Sequence, residues 1–152
     1  MPAGSADLSY RRAAVQEASP EGLMVILYDM LVEDLQRAVA AVQHSAIADR
    51  SRQLKHALLV LQLLEGSLDM QQGGAAARSL SAFYTYLRRA ILDAQFGSNE
   101  EILSRLIDLI LDVREAWRTA DATSANGSGP YPAVRPIRDL DGVSAEPSRW
   151  SA

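Results

Sequence analysis

Proline is placed so that one long stretch of this chain can be helical throughout. Pro2 and Pro20 lie early, Pro130, Pro132, Pro136 and Pro147 lie late, and no proline falls between Pro20 and Pro130. An interior proline removes a backbone donor and clashes with the preceding turn, so its absence leaves more than a hundred residues open to helix. The composition agrees: apolar residues make up 48% of the chain, mostly Leu, Ala, Ile and Val, while aromatics supply 6%. Leu, Ala, Arg and Glu, all strong helix formers, recur through this interval.

Apolar spacing divides the interval into four helices. Ser19-Pro20-Glu21 reads as a start: a capping Ser, Pro in the first turn and an acid near the positive end of the dipole. From there Met24, Tyr28, Leu31, Leu35, Ala38 and Val42 step by four and three, the seam of an amphipathic helix ending near Ser45. A second helix is predicted from about Ala48 to Gln72. Leu54, Leu58, Leu61 and Leu68 lie on one face, and Leu59, Leu63 and Leu64 widen it. Gly73-Gly74 breaks the pattern. The third helix carries Leu80, Tyr84, Leu87, Ile91 and Ala94, and Phe96-Gly97 closes it. Ser98 with Glu101 reads as a capping box. The fourth helix carries Leu103, Leu106, Ile110, Val113 and Trp117, with Ile102, Ile107, Leu109 and Leu111 on its other faces. Short connections make neighbouring helices antiparallel, so the fold class is all-α, an up-down four-helix bundle. Residues 1–18 read as an N-terminal arm, 19–120 as the bundle, and 121–152, rich in Pro, Gly and Ser, as a disordered tail.

Several functions are disfavoured by what the chain carries. It has no Cys, which removes disulfides, thiolate metal sites and cysteine nucleophiles. A net charge of −4 argues against a nucleic-acid binder. No apolar run reaches the roughly 18–20 residues needed to span a bilayer, and the N-terminus lacks the apolar core of a signal peptide, so the cytoplasm is the expected compartment. His44 and His56, twelve apart, read as solvated side chains near a turn rather than metal ligands. No phosphate loop or nucleophile elbow is present, so the chain does not read as an enzyme.

What stands out is surplus apolar surface. The second and fourth helices exceed the share a bundle turns inward, and Phe83, Tyr84 and Tyr86 put aromatics on more than one face of the third. Such surface must be covered by the chain's own arm, a second copy or a client.

These residues, in order, resemble the flagellin-specific export chaperones (FliS) of bacterial flagella, from about Tyr10 to Ala120. Tyr10, Val15, Ala18, Ser19 and Pro20 match the family's entry into the first helix, and Leu23, Leu27, Tyr28 and Asp29 match its Leu-x-x-x-Leu-Tyr-Asp/Asn. Gly73-Gly74 precedes the third helix, Phe83-Tyr84-Thr85-Tyr86 with Arg88-Arg89 follows, and Arg114-Glu115-Ala116-Trp117 stands near the end. Thr85 replaces the usual Asp. The resemblance implies a cytoplasmic chaperone that binds the disordered C-terminal segment of flagellin, prevents its premature polymerisation and helps deliver it to the export apparatus, without ATP or cofactor. Export-apparatus or regulatory proteins are implied as further partners. The expected client-binding residues are Leu23, Leu27, Tyr28, Leu31, Phe83, Tyr84, Tyr86 and Leu87, with Arg88 and Arg89 at the rim and Tyr10 and Val15 in an arm that covers an empty groove. Tyr28 and Tyr84 fall on seam positions and read equally as core. The competing class is a helical oligomerisation or adaptor module, in which a homodimer covers the surplus surface.

Overall fold

The computed structural model describes Ser9, Arg12, Ala13, residues 19–97 and residues 100–123. The expected arm with Tyr10 and Val15, the Ser98 capping box and the tail beyond residue 123 lie outside the described residues. Among the described residues four long helices are present: α1 (Pro20–Gln43), α2 (Ile47–Gly66), α3 (Gly74–Ala94) and α4 (Glu100–Thr123).

Each boundary has a local cause. Ser19 caps α1, its Oγ accepting the Gly22 N–H at 3.0 Å, with Pro20 at the first helical position. At the other end Ser45 turns left-handed, φ 55°. The Ala46 N–H then reaches back to the Ala41 carbonyl (2.8 Å) and the Ser45 N–H to that of Val42 (3.1 Å). This pair of bonds is a Schellman closure with Ser where Gly is usual.

Helix α2 stops at Gly66, six residues before the expected Gln72. The Ser67 hydroxyl donates to the Leu64 carbonyl (2.7 Å), and the Asp69 carboxylate accepts the N–H groups of Gln71 and Gln72 (3.1 and 3.0 Å). Side chains that bond nearby backbone compete with the helix, so the chain turns here despite Leu68. Gly74 at the start of α3 has φ +54°, a conformation that favours Gly. Helix α4 reaches Thr123, three residues past the expected Ala120.

The helices run up-down-up-down. Gln43 at the end of α1 bonds Glu100 at the start of α4 (2.7 Å), while Arg114 late in α4 bonds Asp29 early in α1, so these two are antiparallel. Arg50 at the start of α2 donates to the carbonyls of Gly97 (2.7 Å) and Gln95 (3.1 Å), closing the C-terminal end of α3 with a cation. The backbone of α1 lies closest to α4 and α2, and α3 lies further from it, diagonally across the bundle.

The seams pack as the spacing predicts. Met24, Tyr28, Leu31, Leu35 and Ala38 of α1, and Leu80, Tyr84, Leu87, Ile91 and Ala94 of α3, are all buried. So are Leu103, Leu106, Ile110 and Trp117 of α4. In α2, Leu54, Ala57, Val60, Leu61 and Leu64 enter the core, and Leu58 only partly.

Candidate functional site

Of the aromatic residues expected to line or support a groove, Tyr28, Phe83 and Tyr84 lie at the centre of the bundle. Tyr28 of α1 and Tyr84 of α3, on diagonal helices, share a hydroxyl–hydroxyl hydrogen bond of 2.6 Å. Trp117 packs on Tyr28, ring centroids 6.4 Å apart, and Phe83 on Tyr84 at 6.1 Å, both tilted. Such tilted pairs are the favoured aromatic geometry. Burial pushes the Tyr28 hydroxyl up to about 12, although hydrogen bonding to Tyr84 and Trp117 works the other way. It therefore stays protonated at physiological pH. Leu31 and Leu87 are likewise fully buried. Five of the expected contact residues, Tyr28, Leu31, Phe83, Tyr84 and Leu87, are thus core residues of the bundle.

The remaining expected residues sit nearer the surface. Leu23, Leu27 and Tyr86 are half-buried, packed against the core from outside. Burial also raises the Tyr86 hydroxyl, opposed by the charge of Arg105. Arg88 pairs with Glu65 of α2, Nη2 to Oε1 at 2.8 Å, and Arg89 is exposed. The Thr85 hydroxyl donates to the Ser81 carbonyl one turn back (3.0 Å) on the exposed face of α3.

Outside this centre the surplus apolar residues are on the surface. Leu59 and Leu63, one turn apart on α2, are each 60% exposed. They form an open groove with Gln62, Gly66 and Ser67. Ile102 and Leu111 are exposed on α4, Leu92 on α3, and Phe96 is 86% exposed beyond the end of α3. Ser67 also borders a small cavity of about 120 Å³ with Pro20, Met24, Leu68, Asp69, Gln72 and Trp117, where α1 begins and α2 has ended. The sequence named Leu59 and Leu63 as surplus. Their outward position could be read only once α2 was placed against α1 and α3.

One polar contact was not legible beforehand. His56 is exposed, as expected, but α2 begins at Ile47, so it lies in mid-helix rather than near a turn and reaches α1. Its Nδ1 is 2.6 Å from Oδ2 of Asp34, whose side chain is 3% exposed. Burial raises Asp34 above the usual carboxylate range; the hydrogen bond and charge of His56 and the charge of Arg37 oppose this, and Glu33 adds to it. The folded chain thus holds the Asp34 proton more tightly than the unfolded chain. Its contribution to stability is greatest below pH 3.8 and declines as pH rises through the folded-state value. Asp34→Asn, neutral throughout, should gain in melting temperature over the parent chain as pH is raised from 3 to 7. A relative loss over that range would mean that the bond to His56 outweighs burial.

Among the described residues no group of three His, Asp or Glu is placed to hold a metal ion, and no helix is long and apolar enough to cross a membrane. The arrangement offers a rigid aromatic centre and apolar side chains projecting from the outer faces, which suits binding of an apolar partner.

Comparison with known proteins identifies the family. A family model described as "Flagellar protein FliS" matches residues 3–124. The flagellar secretion chaperone FliS of Salmonella typhimurium is 28% identical over 107 residues, 70% of this chain and 79% of the relative. That of Vibrio cholerae is 26% identical over 113 residues, 72% and 83%. That of Bacillus subtilis is 24% identical over 124 residues, 80% and 92%. With the match running through all four helices, the chain belongs to the FliS family of flagellar proteins.

Proposed function

We propose that this protein is a cytosolic export chaperone whose client is the C-terminal segment of flagellin. The observation that carries the proposal is the pair Leu59 and Leu63, more than half exposed on a helix whose inward face already fills the core. A helix-forming client segment with apolar residues three and four apart would lay them along such a face. The half-buried Leu23, Leu27 and Tyr86 are the next contacts outward from the core, and Arg89 lies on the exposed side of α3 for polar or acidic groups of the client. The buried Tyr28, Phe83 and Tyr84 act as support, fixing the helices from which those side chains project. The relatives' name, flagellar secretion chaperone, supports the same function.

Binding of this kind needs no covalent step and no cofactor. Apolar burial at about 25 cal/mol per Å² drives it, and ordering of the client opposes it by a few kcal/mol. The test is flagellin polymerisation followed by light scattering. An equimolar amount of this protein should suppress filament growth, and the Leu59→Asp/Leu63→Asp variant should not. Unhindered growth, with the parent protein sedimenting as a permanent dimer, would favour the oligomerisation module instead.

A further inference from the structure

We propose that Lys55 and Arg52 select a client segment that carries an acidic side chain about six residues from the middle of its apolar pair. The proposal rests on the reading of Leu59 and Leu63 as the client surface, and it adds the charge that the client must bring there.

One outward stripe of α2 runs through Arg52, His56, Leu59 and Leu63, at spacings of four, three and four. All four side chains are at least half exposed. Lys55, also exposed, flanks the stripe three residues from Arg52. The face is thus divided along its length, with cations toward Ile47 and leucines toward Gly66. A client helix laid over the leucines has one direction in which to extend. About 8 Å of α2 remain between the middle of the pair and Gly66, against about 21 Å to Ile47. A longer client helix therefore passes over the cations.

Little opposes those cations from within the face. Residues 50–64 contain neither Asp nor Glu, although acids outnumber bases 19 to 15 in the whole chain. Asp34 of α1 bonds the His56 Nδ1 and is itself buried, so its carboxylate does not project onto this surface. Asp49 bonds Arg52 at 3.0 Å, an exposed pair that a client carboxylate can displace. Arg50 is committed to the carbonyls of Gly97 and Gln95.

An apolar or basic client residue over Lys55 would strip water from the ammonium without giving it a partner, whereas Asp or Glu pairs with it. Lys55 lies about 9 Å along the helix from the middle of the leucine pair, so a helical client needs its acid at the same spacing.

Lys55 is the only Lys of the chain, so a carbodiimide, which joins an amine to a carboxylate in contact with it, reports this one side chain. The full chain is mixed with the C-terminal segment of flagellin, treated and digested, and the joined peptides are identified by mass spectrometry. The expected link runs from Lys55 to one client Asp or Glu, within one turn of the stated spacing from an apolar pair. In calorimetry Arg52→Glu/Lys55→Glu should weaken binding at least about tenfold. Arg78→Glu/Arg118→Glu, an equal change of charge at exposed positions of α3 and α4, should weaken it less than about threefold.

A complex that forms without a link to Lys55, or with links scattered over many client carboxylates, would overturn the proposal. Binding unchanged in Arg52→Glu/Lys55→Glu but lost in Leu59→Asp/Leu63→Asp would overturn it too, while keeping the client surface. Equal losses from the two charge reversals would report the field of the whole protein and overturn it. A link from Lys55 to Asp108 or Asp112, exposed beside Leu111 on α4 of a second copy, would assign the face to a dimer instead. No binding by the parent chain, or binding indifferent to the two leucines, would overturn the underlying reading and this proposal with it.

Discussion

Tyr84→Ala is expected to cost about 3–5 kcal/mol of folding stability, the usual loss when a large aromatic is cut from a core. Tyr84 is fully buried, packs on Phe83, and its hydroxyl joins α3 to Tyr28 across the bundle. A domain with roughly 5–15 kcal/mol of total stability would be left near its limit. Tyr84→Phe separates the two contributions. It keeps the ring but deprives the buried Tyr28 hydroxyl of a partner, which costs about 1–3 kcal/mol. Adding Tyr28→Phe should then restore part of that loss, because neither hydroxyl is left waiting for the other. Urea titrations of the parent, Tyr28→Phe, Tyr84→Phe and the double variant check this. Additive losses in the double variant would show that the two hydroxyls are not coupled.

Leu59→Asp/Leu63→Asp is expected to do the reverse, leaving the fold and removing the function. Both side chains are 60% exposed, so the substitutions should change stability by no more than about 0.5 kcal/mol each. A client that buries both leucines would lose roughly 1.5–3 kcal/mol for each, before the cost of desolvating two carboxylates. At 1.4 kcal/mol per factor of ten, affinity should fall by at least about 100-fold. Unchanged affinity would move the client away from this face of α2. The contrast between the two sets of substitutions separates the centre that holds the bundle from the surface proposed to bind.

The parts of this fold that follow from local spacing were legible in the chain. Met24 to Ala38 and Leu80 to Ala94 step by four and three and are buried as that period requires. Ser19 and Pro20 begin α1 because their chemistry acts within one turn. Helix α2 was harder. Leu68 continues its apolar pattern, but Ser67 and Asp69 bond the backbone and end the helix earlier. The candidate surface was only half legible. Excess Leu on α2 was evident from counting, but Leu64 turns in while Leu59 and Leu63 turn out, a choice made by where α1 and α3 pack. The pairing of Asp34 with His56 joins residues 22 apart on antiparallel helices, and neither side chain signals the other in sequence. Of the aromatic residues expected at a client groove, Tyr28 and Tyr84 lie on seam positions, and the seam explains why both are in the core.

The central claim is that the outer apolar face takes up a client segment, and calorimetric titration with the C-terminal segment of flagellin tests it most directly. The account predicts one-to-one binding with a clearly negative heat-capacity change, the mark of apolar burial. It also predicts that the signal is retained in Tyr84→Phe at a temperature where that variant is folded, and lost in Leu59→Asp/Leu63→Asp. No heat of binding at any temperature, with residues 1–18 and 124–152 both removed, would contradict it.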